Sequence, residues 1–239
     1  MITATAVIPA RFQSTRFPGK PLAPILGKPM IQRVYEGVRQ ARQIRRVIIA
    51  TDDRRIYDAA AGFGADVVMT SGAHSSGTER VAEAAATLDD DVIVNVQGDE
   101  PLISGPIIDR LVGALEESDA PMASLMAKVT DLASAADPHI VKVVTDEAGN
   151  ALYFSRSPLP YRPEDFFYQH IGIYAYRRNF LLALARLAPT RLERQEKLEQ
   201  LRVLERGHSI KMIEIERPTL SVDTPQDIIK VEQFLKQKT

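Results

Sequence analysis

Short apolar runs alternate with amphipathic helical stretches through the first half of this chain, and nothing else constrains its fold as tightly. Residues 5–8, 46–51, 66–69 and 92–96 are brief, partly β-branched and bounded by turn signals, so each reads as a buried strand. Helices are expected over 30–42, 54–63 and 81–88. Pro29 suits a first helical position, Asp52 or Asp53 can cap the second helix, and Gly64 ends it. The run Val92-Ile93-Val94-Asn95-Val96 is apolar on both faces, as a central parallel strand should be. Such alternation builds an α/β fold, a mostly parallel sheet with helices on both faces.

The second half is more mixed. A helix is expected over 107–117, strands over 122–129, 141–145, 151–154, 170–176 and 210–215, and helices near 180–187 and 193–205. Residues 155–167 are rich in Pro and charge and read as irregular. Thr224 caps a last helix with Pro225 in its first turn. No repeat, low-complexity tract or linker interrupts the 239 residues, enough for one large α/β domain with an arm at about 150–180.

Composition excludes several classes. Net charge is −1, so there is no basic field for a nucleic-acid polymer or an anionic membrane. No apolar stretch approaches the roughly 18 residues a membrane helix needs. The N-terminus lacks the basic segment and apolar core of a signal peptide. Cysteine is absent, which removes disulfides and thiolate metal sites. A soluble cytoplasmic protein is expected.

In an open α/β sheet, ligands sit just past the carboxyl ends of the strands. The loop after the first strand carries Arg11, Arg16 and Lys20 among Ser, Gly and Pro, and three cations on one loop can hold a polyanion. A solvated surface loop is the alternative. Ser76 to Arg80 follow the third strand at a helix start, where free N–H groups favour anions. Asp99 follows the fourth strand, and Asp223 precedes the last helix. If the fold joins them, their carboxylates suit Mg²⁺, which takes oxygen ligands plus phosphate and water; taken singly they read as a turn residue and a residue before a helix cap. Familiar motifs are missing. Gly62-Phe63-Gly64 lacks a third glycine, neither Gly19-Lys20 nor Gly27-Lys28 has the upstream glycine of a P-loop, and there is no Gly-x-Ser-x-Gly or His-Glu-x-x-His.

Ile8-Pro9-Ala10-Arg11-Phe12-Gln13-Ser14-Thr15-Arg16-Phe17-Pro18-Gly19-Lys20-Pro21-Leu22 resembles the opening motif of the 3-deoxy-manno-octulosonate (KDO) cytidylyltransferases. The same family is matched in order by Ala50-Thr51-Asp52, His74 to Arg80, Asn95 to Pro101, Tyr153 to Arg156, His170 to Tyr174, Glu196 to Arg202 and Val222 to Pro225. The resemblance implies a Rossmann-like nucleotidyltransferase sheet with a small mixed β arm for homodimerisation. It implies transfer of CMP from CTP to the anomeric hydroxyl of KDO, with release of pyrophosphate, for lipopolysaccharide biosynthesis. On it, Lys20, Asp99 and Asp223 are catalytic, the two aspartates hold Mg²⁺, and Ala10, Arg11, Arg16, Lys20, Ser76, Arg80 and Gln97 bind CTP. Arg156, His170, Glu199 and Gln200 face the sugar acid, with Arg162 a weaker candidate. The alternatives are that His170, at a strand start, is a buried, satisfied histidine, and that Glu199 and Gln200 are plain exposed helix residues. Rival readings are a cytidylyltransferase for an 8-amino-KDO analogue or a sialic acid, and a non-catalytic nucleotide-binding regulatory protein.

Overall fold

Seven consecutive buried residues form β1 (Ala4–Ala10), so both faces of this strand are covered, and it runs further than the apolar stretch 5–8 suggests. In the computed structural model, which describes residues 2–13 and 17–237, the chain divides into two compact units, residues 1–109 with 219–239 and residues 110–218. After β1 the first unit contains the small hairpin β2 (Pro24–Ile25) and β3 (Lys28–Pro29), α1 (Met30–Val38), β4 (Ile44–Thr51), α2 (Arg54–Gly62), β5 (Asp66–Met69), α3 (Gly77–Ala85) and β6 (Val92–Asn95). β1 pairs in parallel with β4 and β6, and β5 pairs with β4. Val7 lies opposite Ile48 on one side and Asn95 on the other, so the carboxyl ends of β1 and β6 emerge side by side.

Helix ends follow their caps. Asp53, not Asp52, caps α2, accepting from the Arg55 N–H at 2.9 Å. α3 starts at Gly77 rather than Val81, because Ser76 caps it by accepting from the Glu79 N–H at 3.2 Å. α1 stops at Val38 instead of reaching Arg42. The Arg42 and Gln43 N–H groups donate to Asp109 at 3.1 and 2.8 Å. α4 (Gly105–Glu116) then carries the chain into the second unit. A Cβ on Gly105 would stand 2.3 Å from the Gln40 carbonyl carbon, so this helix start touches backbone directly.

The second unit holds β7 (Met122–Val129), β8 (Lys142–Thr145), β9 (Ala151–Ser155), β10 (Phe167–Arg177), α5 (Arg178–Leu184), α6 (Arg191–Glu196), α7 (Leu201–Glu205) and β11 (Ile210–Ile215). β10 runs antiparallel to β7 and β8, β8 antiparallel to β9, and β11 parallel to β7. Two expectations are corrected. The single helix over 193–205 is broken at Lys197, whose φ of 56° is left-handed. The break lets Arg202 fold back onto Glu193, donating from Nε and Nη2 at 2.8 and 2.6 Å in a buried two-point ion pair. His170 does not open its strand but lies inside β10.

α8 (Pro225–Gln237) completes the first unit. Thr224 precedes it as expected, and its N–H and hydroxyl donate to Asp227 at 3.0 and 2.8 Å. Burial opposes ionisation of Asp227, but hydrogen bonds from Lys230 and Thr224 outweigh it and hold the pKa down to about 2. Val231 of α8 packs with Ile25, Met30 and Val222 in one buried cluster. Among the described residues no helix is long and apolar enough to cross a membrane.

Candidate active site

The first unit builds its cavity from the loops past β1 and β6. Gly19, at φ 73°, turns the loop after β1 back on itself, its N–H donating to the Phe12 carbonyl at 2.9 Å. A single 3-10 turn from Lys20 to Leu22 follows and points Lys20 inward. On the other side, the Val222 N–H donates to the Asp99 carbonyl at 2.9 Å, which draws Asp223 to the end of β6. The Lys20 ammonium meets all three segments. It donates to Asp99 Oδ2 at 2.6 Å and the Val222 carbonyl at 2.8 Å, and lies 3.6 Å from Asp223 Oδ1. The two aspartates therefore do come together. They face a cavity of about 790 Å³ that Ala10, Arg11, Ser76, Arg80 and Gln97 also line. That volume suits a nucleotide-sized ligand. Arg16 lies outside the described residues.

Two carboxylates reaching one cation give the test for Mg²⁺. The ammonium already occupies a point that oxygens of both aspartates address. Among the described residues no cluster of three metal-ligating side chains exists. One or two carboxylates, with phosphate and water completing the shell, is how Mg²⁺ is ordinarily held, so the pair fits. Glu100 sits behind them, 7% exposed, with Oε2 unpartnered among the described residues. Burial, with the charges of Asp99 and Asp223, pushes its pKa up to about 8, against a Thr219 hydrogen bond and the Lys20 charge.

The other CTP candidates are held more tightly than their sequence suggests. Arg80 is buried. It donates from Nη2 to Asp52 Oδ2 at 2.8 Å, and from Nη1 to Thr70 Oγ1 at 2.5 Å and the Ser71 carbonyl at 3.4 Å. Ser76 spends its hydroxyl oxygen on the α3 cap. Gln97 donates to Asn95 Oδ1 at 3.1 Å. His74, in the sequence one polar residue of the loop before α3 with no ligand spacing to mark it, also lines the cavity and contacts Glu83. Glu83 further accepts from the Ser71 N–H at 2.9 Å, so α3 carboxylates stake down the loop in front of their own helix.

The four sugar-acid candidates lie in the second unit. His170 is 8% exposed, edge-on to Phe154 at 4.8 Å between centroids. Burial takes its pKa down to about 3, so the ring is neutral. Ser124 Oγ lies 3.0 Å from the Ile173 carbonyl and 2.9 Å from His170 Nε2. With the hydroxyl proton on that carbonyl, Ser124 accepts from Nε2–H, leaving Nδ1 to accept from Gln200 Nε2 at 3.4 Å. Ser124 was invisible as a partner in the sequence, being one more small residue in a strand. Glu199 and Gln200 lie in the break between α6 and α7, not within a helix. Glu199 stands 3.7 Å from Arg202. Arg156 follows β9 as expected. It donates from Nε to the Glu196 carbonyl at 2.9 Å and from Nη1 to the Pro138 carbonyl at 2.8 Å. The structure joins His170 to Gln200; among the described residues Arg156 makes no hydrogen bond to His170, Glu199 or Gln200. Arg162 stacks over the Tyr161 ring at 5.1 Å.

Known proteins share this arrangement of sequence and fold. The cytidylyltransferase family profile matches residues 5–213. A 3-deoxy-manno-octulosonate cytidylyltransferase of Syntrophotalea carbinolica is 51% identical over 98% of this chain and 99% of its own. One from Geobacter sulfurreducens is 50% identical over 97% and 99%. A solved CMP:2-keto-3-deoxy-manno-octonic acid synthetase in complex with CTP superposes with a TM-score of 0.95 at 41% identity, covering 99% of this chain and all of the other. A 4-diphosphocytidyl-2C-methyl-D-erythritol synthase from Anaerococcus prevotii, at 16% identity and a TM-score of 0.66, shares the fold alone.

Proposed function

This chain belongs to the 3-deoxy-manno-octulosonate cytidylyltransferases, and from that premise we propose how its residues divide the work. The enzyme transfers CMP from CTP to KDO, giving CMP-KDO and pyrophosphate. The anomeric hydroxyl oxygen of KDO attacks the α-phosphorus as its proton is lost to solvent; the new P–O bond forms as the bond from the α-phosphorus to the bridging oxygen breaks, and pyrophosphate leaves with that oxygen. In-line displacement of this kind needs positioning and charge neutralisation more than a protein nucleophile. Arg11, Arg16 and Lys20 hold the triphosphate, and Lys20 stabilises charge on the leaving pyrophosphate. Ala10, Ser76, Arg80 and Gln97 form the nucleotide's enclosure, with Arg80 fixed by Asp52 and Thr70 rather than free to swing. Asp99 and Asp223 would hold Mg²⁺, whose chemistry there is to polarise the α-phosphate and acidify the attacking hydroxyl.

One observation carries this reading: the Lys20 ammonium held between Asp99 and Asp223 at the edge of a nucleotide-sized cavity. For the acceptor, Arg156 grips the carboxylate, while neutral His170, Glu199 and Gln200 receive hydroxyls. We further place the reaction in the cytoplasm, where it supplies lipopolysaccharide biosynthesis, and take the working form as a homodimer. The exposed apolar side chains Leu152 and Tyr161, 60% and 80% exposed, support a contact surface on the second unit. The test is pyrophosphate release by the purified chain with CTP, Mg²⁺ and KDO. Release with KDO, but not with a sialic acid or without an acceptor, and its loss on chelation, is the expected result. Equal release with a sialic acid overturns the acceptor assignment, and full release in the presence of chelator overturns the metal. Sedimentation of the same preparation as a monomer overturns the dimer.

A further inference from the structure

Lys142 opens β8 with no exposed surface, and it is among the largest of the fully buried side chains, with Phe154 and Phe167. Among the described residues no carboxylate pairs with it. Its ammonium donates instead to three backbone carbonyls: Asp137 at 3.0 Å, Ile140 at 2.7 Å and Arg156 at 2.5 Å. Three N–H groups meet three acceptors, which satisfies the donors. Desolvation still disfavours the charge and pulls the pKa down, partly offset by the Asp137 and Glu196 carboxylates, while the Arg156 cation adds to the lowering. An ammonium held out of water with no carboxylate partner is unfavourable against an apolar residue of similar volume, even with its donors satisfied, so the cage has a task that packing does not explain.

The acceptors identify the task. Two of them belong to the loop over 137–140, and the third is the carbonyl of Arg156. The same loop supplies the Pro138 carbonyl that accepts from Arg156 Nη1 at 2.8 Å. On the far side Glu196 completes the frame. Its carboxylate accepts from the Ser155 hydroxyl and the Arg156 N–H, each at 2.9 Å, and its carbonyl takes Arg156 Nε. The guanidinium is thus held on two edges by backbone carbonyls. Lys142 stitches one of those supports, the 137–140 loop, to the main chain of Arg156. We propose that Lys142 is a positioning residue for the acceptor: it locks the 137–140 loop against Arg156, so that Nη2, the guanidinium nitrogen left over by Pro138 and Glu196, meets the sugar-acid carboxylate in one orientation. The inference rests on Arg156 as the carboxylate ligand. Only lysine offers three diverging donors from one atom; methionine fills the space with none, and glutamine returns two.

The test is a double-mutant cycle on the full-length enzyme with CTP, Mg²⁺ and KDO, reading the two KM values separately. Lys142→Met should raise the KM for KDO about tenfold, the size of one lost charge-assisted contact, and leave that for CTP within about twofold. Lys142→Gln should recover part of the loss, and it replaces Lys142→Met in the cycle if the methionine variant is not obtained folded. Arg156→Ala should raise the KM for KDO further, with Arg156→Lys rescuing partly because one edge of the fork is lost. Lys142→Met added to Arg156→Ala should cost nothing more on KDO, even though it lowers the melting temperature in both backgrounds. A loss shared equally by CTP and KDO, or a full additive penalty in the Arg156→Ala background, makes Lys142 a stability residue only and overturns the proposal. If Arg156→Ala itself leaves KDO untouched while Lys142→Met raises its KM, the reading of Arg156 has failed, and the proposal falls with it for that distinguishable reason.

Discussion

Lys20 Nζ stands 2.6 Å from Asp99 Oδ2 across 79 positions of sequence, and the same ammonium faces Asp223 at 3.6 Å. One internal cation therefore answers two carboxylates that would otherwise repel each other. Phosphate and a divalent ion would bid for the same groups, lysine for the anion and the aspartates for the metal.

Asp99→Asn and Asp223→Asn keep side-chain size and remove charge. Each should lower turnover at saturating CTP and KDO by about 100-fold or more, since metal-borne charge stabilisation is worth several kcal/mol in such transfers. Circular dichroism should show the fold intact. Full Mg²⁺-dependent turnover in a folded Asp99→Asn enzyme would remove Asp99 from the metal site.

Lys20→Ala should act on the nucleotide. Charge-assisted contacts are worth roughly 1.5–3 kcal/mol each, so kcat/KM for CTP should fall about 10- to 100-fold while the KM for KDO changes little. Steady-state kinetics with each substrate varied in turn decides it; unchanged CTP kinetics would return the loop to an ordinary surface turn.

His170 should make the fold acid-sensitive. Its imidazole titrates near 6.5 in an unfolded chain but only at about 3 in the fold, because burial disfavours the cation. Between those values the unfolded state binds the extra proton, so stability rises with pH there. The contribution is complete above about 6.5 and is lost as pH falls toward 3, at up to about 1.4 kcal/mol per pH unit. Urea unfolding from about pH 7 to pH 4 should show a shallower decline in His170→Gln than in the parent. Identical slopes would mean that the ring is not buried neutral.

Gly105→Ala should destabilise without touching chemistry. A Cβ there would lie 2.3 Å from the Gln40 carbonyl carbon, and backbone cannot step aside as a side-chain tip can. A loss of roughly 1–3 kcal/mol or more is expected from overpacking of this kind, read as a lower urea midpoint. Activity per folded molecule should be unchanged. A midpoint equal to that of the parent would show that α4 can shift freely.

Local patterns made the first unit legible. β5 spans the residues its apolar run predicts, and β7 and β11 in the second unit do so too. Caps set the helix starts, but choosing between neighbouring candidates needed geometry. Asp53 took the α2 cap because Asp52 turned to Arg80, a partner 28 positions away. Ser76 pulled the start of α3 back into a stretch that reads as loop.

By itself the sequence determined the alternation of strands and helices, the cationic loop after β1, and the motif series that marks the family, because these depend on periodicity and spacing between near neighbours. Only the tertiary structure decided the rest. No Gly or Pro marks the break at Lys197; residues 193–205 favour one helix, and the buried Glu193–Arg202 pair outweighs that weak local preference. Nor does any spacing reveal that Lys142 ends on the carbonyl of Arg156, or that Asp223 reaches Lys20 through a hydrogen bond from Val222 to Asp99. Those contacts join residues far apart in the chain, and the free energy that selects them appears only once the core has closed around them.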